Sequence, residues 1–337
     1  MKKIFIDHIR ENEDVVDIFL VKEKTLAISR NGSPYLNLQL MDRTGEIAGR
    51  VWEKAEKLSR IFSKNDFINI RAKATIFKEN LQLNILDIKR CDDSDISAED
   101  FLPRSAKDVD EMYAELKTLS LKVKDQYLNR LINLFLDNNK FSQLFKQVPA
   151  AKGLHHAYLG GLLEHTLSVC KLILTIAPHY EGINIDLLFT GGLLHDIGKI
   201  YELTYKKSFD YTDEGRLLGH ISLGFKIIEA KIKQIPGFPP KLAMLLEHLI
   251  LSHHGQYHFG SPKRPKTLEA MMLYYLDDLD AKMNGIKNFI EKERGNNSSW
   301  TGYNSIYERF IYKETYSEEK STDPQRPLPF PTLIEND

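Results

Sequence analysis

The chain has 337 residues, which is long enough for two domains of ordinary size. Its 42% hydrophobic and 28% charged residues are typical of a globular protein that buries a sizeable core, and the net charge of −1 argues neither for nor against a polyanionic partner. The two cysteines, Cys91 and Cys170, have no CxxC spacing, which excludes a zinc ribbon and a disulfide framework and fits a reducing cytoplasm.

The start of the chain argues against secretion. The first ten residues carry charged side chains where a signal peptide would need an apolar core. No apolar run approaches the roughly 20 residues that a membrane-spanning helix needs. We therefore expect a cytoplasmic protein with no membrane partner.

Up to about residue 90 the sequence has the pattern of β-strands. Residues 35–40 alternate apolar and polar side chains, and turn-forming residues follow at 42–45. The other predicted elements are strands at about 16–28, 46–52, 66–77 and 81–88, and a short helix at 53–63. One long strand, two strands, a helix and two strands is the order of an OB-fold, so residues 1–90 predict a five-stranded OB barrel.

One face of this barrel is a candidate for binding single-stranded nucleic acid. OB barrels bind single strands across strands two and three, through stacking aromatic rings and a basic groove. Residues 21–90 hold fourteen Lys or Arg and eight Asp or Glu, a local excess of +6. Candidate contacts are the polar, aromatic and basic residues Tyr35, Asn37, Arg50, Trp52, Arg43 and Lys73. Burial of Trp52 against the short helix, and plain solvation of each charge, stay open as alternatives.

Beyond the barrel, the acidic and aperiodic residues 91–106 indicate a linker, and residues 107–315 have a helical pattern. Apolar side chains recur there at three- and four-residue steps in seven segments: 112–121, 124–138, 159–176, 186–197, 220–235, 240–252 and 267–293. Gly198 and Gly255 stand where a helix end favours a left-handed residue. Four prolines among residues 316–337 indicate a proline-rich tail. The predicted fold is a β-barrel domain followed by an all-α domain.

Histidine is crowded in the helical region, where ten of the eleven histidines lie between His155 and His258. His195 and Asp196 are adjacent within Gly-Gly-Leu-Leu-His-Asp-Ile-Gly-Lys, and imidazole and carboxylate are both ligands of divalent metals. Further His and Asp residues fall on predicted helices or at their ends: His165, His220, His253, His254 and Asp277. Because an unpaired buried carboxylate is costly, we expect a divalent metal where these helices converge.

The order His165, His195-Asp196 and Asp277 resembles the signature of the HD superfamily of metal-dependent phosphohydrolases. Residues 161–166, 214–220, 252–262 and 267–282 are similar to the YhaM family of 3′-to-5′ exoribonucleases, which joins an OB-fold to an HD domain. The resemblance covers roughly residues 16–315. It implies that residues 107–315 form an all-helical HD domain.

The resemblance also implies two divalent ions that share the carboxylate of Asp196. The other implied ligands are His165, His195 and Asp277 for the first ion, and His220, His253 and His254 for the second. Asp196 and Lys199 are the implied catalytic residues, because in dinuclear relatives the matching lysine points toward the substrate phosphate. We expect Mn²⁺ or Co²⁺, which suit imidazole-rich sites, with Fe, Zn and Mg as alternatives.

These patterns support three hypotheses. The first is a metal-dependent 3′-to-5′ exonuclease that hydrolyses single-stranded RNA with a metal-activated water, DNA being open as a further substrate. The second is an HD phosphohydrolase of small nucleotides with a regulatory OB domain. The third is a single-strand-binding protein without catalysis. The sequence lacks nucleophile-elbow and phosphate-loop motifs, which argues against covalent or nucleotide-driven routes. The oligomeric state stays undetermined.

Overall fold

The computed structural model describes residues 2–29, 31–92, 96–153, 156–295 and 298–315. Two compact units make up the chain, Met1–Gly285 and Ile286–Asp337. The first unit holds a β-barrel and a helical domain. In the second, isolated β-bridges join Trp300 to Tyr312 and Asn304 to Arg309. The predicted proline-rich tail, residues 316–337, lies outside the described residues.

Five strands and one short helix build the barrel. They are β1 (Asp14–Ile28), β2 (Pro34–Asp42), β3 (Gly45–Val51), α1 (Ala55–Ser59), β4 (Phe67–Phe77) and β5 (Asn80–Arg90). The strands close in the order β1-β2-β3-β5-β4, with β3 and β5 parallel and the other neighbours antiparallel. The predicted OB barrel is confirmed, although α1 is shorter than the predicted segment 53–63.

Side-chain alternation fixes the register of the barrel. Leu36, Leu38 and Leu40 of β2 are buried, while the residues between them are partly exposed. A slip of one residue would turn these leucines to the outer face, so the apolar pattern selects one pairing. In that pairing Asn37 of β2 lies opposite Arg50 of β3.

The predicted linker carries an apolar cluster at the junction of the two domains. Phe101 and Leu102 are buried together with Leu20 and Phe67 of the barrel and Leu159 of the helical domain. The rings of Phe67 and Phe101 lie 4.8 Å apart. Apolar burial of this kind stabilises the contact between the barrel and the helices.

The helical domain contains a longer series of helices than the sequence pattern predicts. They are α2 (Val109–Ser120), α3 (Gln126–Leu136), α4 (Asn139–Phe145), α5 (Gly161–Ile176), α6 (Ile185–Leu194), α7 (Lys199–Glu202), α8 (Asp213–Ile232), α9 (Pro240–Ser252) and α10 (Leu268–Lys292). Several begin at a side chain that accepts N–H bonds of the first turn, as at Asp108, Asp125 and Thr212. The unpredicted α4 and α7 are too short to show helical periodicity.

Two features differ from the expected all-helical, membrane-free pattern. A small sheet of β6 (Leu203–Thr204) and β7 (Asp210–Tyr211) follows α7. Contrary to our expectation, the helical segment Gly161–His179 is long and apolar enough, by length and composition, to cross a membrane. Its buried side chains, including Val169 and Ile173, pack in the apolar core of the helical domain, as those of a core helix do.

Helices α7 and α8 approach each other closely at Gly198. The prediction of a left-handed Gly198 is wrong, because its φ is −62°, whereas Gly255 has the predicted left-handed φ of 74°. Position 198 instead requires glycine because there is no room for a side chain. A Cβ there would lie 2.0 Å from the carbonyl oxygen of His220 and 2.6 Å from the amide nitrogen of Gly224. Only glycine allows the two backbones to pack this closely.

We predict that Gly198→Ala destabilises the protein and that Gly224→Ala does not. The methyl group at position 198 would overlap backbone atoms, and such overpacking costs about 1–3 kcal/mol. At Gly224 the nearest atom to a new Cβ is 3.4 Å away, at ordinary contact distance. Alanine there should gain up to about 1 kcal/mol of helix propensity. Urea unfolding would measure both free energies, and equal values for the two variants would contradict the prediction.

Candidate metal centre and nucleic-acid face

Five helices bring the predicted metal-binding side chains to one interior region. His165 lies on α5, Asp277 lies on α10, and His220 follows the left-handed Gly219 within α8. The remaining side chains stand directly after α6 and α9, and they are His195, Asp196, His253 and His254. All of them are buried or nearly so, in the middle of the helical domain.

His165, His195 and Asp277 form the first of two clusters of predicted ligands. His165 Nε2 lies 3.2 Å from His195 Nε2 and 3.1 Å from Asp277 Oδ1. Burial opposes protonation of His165, but hydrogen bonds with Asp277 and Asp280 outweigh it and raise the pKa of His165 to about 10. The carboxylates therefore attract positive charge to this cluster, as a cation site requires.

His220, His253 and His254 form the second cluster. His220 Nε2 lies 3.3 Å from His254 Nε2, and ligand atoms of all three residues lie within 4.8 Å of one another. Burial and the neighbouring His253 lower the pKa of His254 to about 4. Burial also lowers the pKa of His253. Neutral imidazoles keep the lone pair with which they bind metals.

Asp196 lies between the clusters and presents one carboxylate oxygen to each. Oδ2 is 3.3 Å from His195 Nε2, while Oδ1 is 3.5 Å from His220 Nε2 and 3.6 Å from His253 Nε2. Burial opposes ionisation, but Lys199 and His195 hold the pKa of Asp196 well below its usual range. The group is therefore a charged carboxylate, and its position suits a ligand shared by two cations.

Each of the five imidazoles is held through its Nδ1 atom. Three contact a backbone carbonyl oxygen at 2.7–2.9 Å, and two contact a carboxylate at 2.7–3.0 Å. The pairs are His195–Gly192, His253–Ile250 and His254–Phe259 for the carbonyls, and His165–Asp280 and His220–Glu202 for the carboxylates. In the three that contact a carbonyl oxygen, which only accepts, Nδ1 carries the proton and the Nε2 lone pair faces the clusters. Metal-binding histidines are oriented by partners of this kind.

The residues present fit a divalent metal. Asp196 Oδ1 and His253 Nε2 are buried, lie 3.6 Å apart, and have no hydrogen-bond partner in the described part of the chain. A buried polar atom without a partner carries a desolvation penalty. A cation that both atoms could bind would remove that penalty.

Lys199, predicted to face the substrate phosphate, is buried beside Asp196. Its Nζ lies 2.5 Å from Asp196 Oδ2. Burial opposes the charge of Lys199, but Asp196 outweighs that effect and raises the pKa of the ammonium group. A fixed positive charge therefore lies at the edge of the two clusters.

A hydrogen-bonded chain behind His165 was not predicted from the sequence. Asp280 Oδ2 lies 2.7 Å from His165 Nδ1 and 3.0 Å from His156 Nε2. His156 Nδ1 is 2.8 Å from Tyr158 Oη, which donates to Glu164 Oε2 at 3.0 Å. These contacts fix the ring orientation of His165. His156 and Asp280 also form a third group with His165, whose ligand atoms all lie within 4.8 Å of one another.

Glu164 extends this chain to the segment that joins the domains. Ser105 Oγ donates to Glu164 Oε2 at 2.7 Å, and Lys107 Nζ lies 2.9 Å from Oε1. Burial opposes ionisation of Glu164, but the contacts with Lys107 and Ser105 keep its pKa below the usual value. Ser105 of the linker and the adjacent Lys107 thus contribute to the surroundings of His165.

On the barrel, the predicted aromatic contacts come together on the outer face of β2 and β3. The rings of Tyr35 and Trp52 are stacked with centroids 5.0 Å apart, and Trp52 is 52% exposed. The guanidinium of Arg50 lies 5.7 Å from the centre of the Tyr35 ring. Its Nη1 is buried without a hydrogen-bond partner among the described residues. Asn37 lies opposite Arg50 in the sheet. Stacked rings beside a guanidinium group suit a nucleobase and its phosphate.

Lys73 lies on the same outer surface. It is an exposed residue of β4 and pairs in register with Asn84 of β5. Asn84 in turn pairs with Arg50 across the parallel strands. Lys73, Asn84 and Arg50 therefore lie side by side on three neighbouring strands, with Asn84 in the middle.

Arg43 is not brought to this face. It stands in the turn after β2, at the opposite end of that strand from Tyr35. Its guanidinium lies 3.6 Å from Asp100 and 4.2 Å from the centre of the Phe5 ring. These contacts occupy Arg43 near the domain junction.

Comparison with known proteins gives two family matches. The profile of the OB-fold nucleic acid binding domain matches residues 20–90, and that of the HD domain matches residues 162–282. The chain is 32% identical to the 3′-5′ exoribonuclease YhaM of Geobacillus sp. (strain WCH70), over 93% of this chain and 95% of the relative. It is 30% identical to the protein of the same name from Bacillus subtilis (strain 168), over 90% of this chain and 96% of that relative.

Among solved structures, the second OB-fold domain of replication protein A from Methanococcus maripaludis is similar to part of the chain. The match covers 26% of this chain and 94% of that domain. Sequence identity is 18% and the TM-score is 0.23.

We predict that Asp196→Ala loses metal from both clusters, because its two oxygens face different histidines. His254→Ala should lose only the ion of the second cluster. Asp278→Ala is the matched control, since this carboxylate pairs with Lys282 at 2.7 Å on the surface of α10. Elemental analysis of the purified proteins would measure the bound ions. Full metal content in Asp196→Ala would refute the shared-carboxylate arrangement.

Proposed function

The chain belongs to the YhaM family of 3′-5′ exoribonucleases, and from this premise we propose that it removes nucleotides from the 3′ end of single-stranded RNA. The helical domain would hydrolyse the phosphodiester bond, and the barrel would bind the single strand. One observation carries this proposal: five imidazole Nε2 atoms and two carboxylates face the same interior region. Such a ligand set supports hydrolysis that depends on metal ions.

The two clusters support two bound ions. The first would be held by His165, His195 and Asp277, the second by His220, His253 and His254, and Asp196 would be shared. Bound ions would lower the pKa of a water molecule and stabilise the attacking and leaving oxygens of the phosphodiester. Mn²⁺ or Co²⁺ fits better than Mg²⁺, because Mg²⁺ prefers an octahedron of oxygen atoms and imidazole dominates here.

Other side chains prepare the centre for this chemistry. Lys199 would place its positive charge near the substrate phosphate, whose negative charge increases during attack. Asp280 and Glu202 orient His165 and His220 through their Nδ1 atoms. Both carboxylates contact the Nδ1 side of these imidazoles, opposite the Nε2 atoms that face the two clusters, so they would position the ligands.

A covalent route through a serine has no support at this centre. Ser252 Oγ donates to the carbonyl of His248 at 2.6 Å, and Ser261 Oγ donates to the carbonyl of Lys263 at 2.7 Å. Each hydroxyl is thus directed to a backbone oxygen and not to a basic side chain, which a serine nucleophile would need. Attack by water is the consistent alternative.

We expect the purified protein to shorten 5′-labelled single-stranded RNA from its 3′ end in the presence of Mn²⁺ or Co²⁺. A circular RNA of the same sequence is the matched substrate control and should stay intact, because it has no end. His253→Ala is the protein control and should be inactive on both. Cleavage of the circle would indicate an endonuclease. Hydrolysis of mononucleotides or cyclic dinucleotides alone would support the small-nucleotide alternative, and best activity with Mg²⁺ would contradict the proposed site chemistry.

The barrel face gives a separate prediction. Tyr35→Ala combined with Trp52→Ala should weaken binding of a single-stranded oligonucleotide by about 1–3 kcal/mol per stacked base lost. Phe77→Ala removes another exposed ring of the same barrel, outside the stacked pair, and should bind like the parent. Fluorescence anisotropy without added metal would measure binding without degradation. Unchanged affinity in the double variant would show that this face does not hold the substrate.

A further inference from the structure

A turn beside the second metal cluster exposes two aromatic rings. Tyr257–Phe259 forms one turn of 3-10 helix after α9, bounded by the left-handed residues Gly255 and Gly260. Tyr257 is 65% exposed and Phe259 is 58% exposed. Large exposed apolar surface next to a functional centre is a mark of a ligand-binding surface.

The turn is fixed to the metal cluster by backbone contacts. His254 Nδ1 donates to the carbonyl oxygen of Phe259 at 2.9 Å. The amide of Gln256 donates to the carbonyl of His254 at 2.8 Å. At Gly255 a Cβ would lie 2.3 Å from the ring of Tyr274, so the chain is tightly packed there. The position of the two exposed rings is therefore set by the same residues that orient His254.

Positive charge follows the aromatic turn directly. Lys263, Arg264 and Lys266 are all exposed, and none forms an ion pair with another described residue. The run is anchored where α9 ends, because the amide of Lys263 donates to the carbonyl of Leu251 at 3.1 Å. Ser261 Oγ lies 3.2 Å from the same carbonyl. Three unpaired cations thus stand next to two exposed rings and a metal-binding histidine.

We propose that residues 257–266, the rim of the centre, form a second single-strand-binding surface. The rim would hold the nucleotides on either side of the scissile bond at the 3′ end of RNA. Bases would stack on Tyr257 and Phe259, and the three cations would contact phosphates. Aromatic rings beside a basic run are the composition that binds single strands without reading sequence. This inference rests on the proposed exonuclease function and adds a substrate-binding surface to it.

The chemistry of the rim suits an enzyme that meets every sequence at its centre. Stacking tolerates any base, because each base has a π-face, and phosphate contacts are the same for all four nucleotides. The rim lies on the helical domain, whereas Tyr35 and Trp52 lie on the barrel. Contacts at the rim should therefore matter for short and long substrates alike, while contacts at the barrel should matter only for strands that reach it.

The sharpest test uses the full-length, metal-loaded protein and RNA that lacks its terminal or penultimate base at the 3′ end. For the parent, the KM of such abasic RNA should rise about 5- to 100-fold over that of intact RNA. Tyr257→Ala and Phe259→Ala should raise KM for intact RNA similarly and show little further loss with abasic RNA. Tyr257→Phe keeps the ring and should behave like the parent. Tyr180→Ala removes a tyrosine that is 54% exposed beyond the far end of α5, and it should change nothing.

A second measurement tests the cations. Replacing Lys263, Arg264 and Lys266 together by Gln should reduce the slope of log Kd against log salt by about 2. Metal analysis of every variant checks that the centre is intact. If the parent has the same KM for intact and abasic RNA, the rim does not bind the substrate bases. The same conclusion would follow if the alanine variants kept the parent's ratio of KM for abasic RNA to KM for intact RNA. If the parent protein does not degrade RNA at all, the proposed exonuclease function is refuted, and the proposal for the rim is refuted with it.

Discussion

The helical domain depends on one buried carboxylate, Asp196, which is 2% exposed. Removing a carboxylate from water costs several kcal/mol unless charges and hydrogen bonds replace the water. Lys199 supplies one positive charge at Oδ2, while Oδ1 faces His220 and His253 without a hydrogen-bond partner in the described chain. A cation bound by these groups would give Oδ1 a partner and offset the negative charge of the carboxylate. Five helices must end, bend or pass beside Asp196 to bring these side chains around it.

Close packing of helix backbones makes this convergence possible. In α6, a Cβ at Gly191 would lie 2.4 Å from Leu249 of α9, and a Cβ at Gly192 would lie 2.4 Å from Ile173 of α5. Glycine inside a helix costs about 1 kcal/mol relative to alanine. The helix that ends at His195 thus has reduced intrinsic stability, and in return its end lies close to both neighbouring helices. The adjacent glycines of the His-Asp motif are explained by this packing rather than by flexibility.

Much of the architecture could be predicted because it depends on periodic burial. The alternation in β2 and the three- and four-residue steps of the helices are consequences of which side faces a core. The convergence of the candidate His and Asp residues could be expected for the same reason, since His and Asp are unusual on apolar helix faces. Asp280 was within reach as well, because it follows Asp277 by three residues on α10 and so shares its face.

The remaining features depend on contacts between segments that are distant in sequence. The sequence predicts a left-handed helix end at Gly198, but the close approach of the α8 backbone is what requires glycine there. Glu202 has no local pattern that connects it to His220, its partner at 3.0 Å. The sequence suggests Arg43 as a phosphate contact, but in the structure its guanidinium contacts Asp100 and the ring of Phe5. In each case the deciding neighbour comes from another element, which periodicity within one segment does not show.

The two candidate nucleic-acid surfaces are organised by different means. On the barrel, the register of β2 and β3 brings Tyr35 and Trp52 into a stacked pair. At the rim, the bond from His254 Nδ1 to the Phe259 carbonyl sets the turn. That same bond directs the Nε2 lone pair of His254 toward the second cluster. One hydrogen bond therefore sets both the orientation of a proposed metal ligand and the placement of the rim. The surface that would hold the RNA end is positioned by the centre that would cleave it.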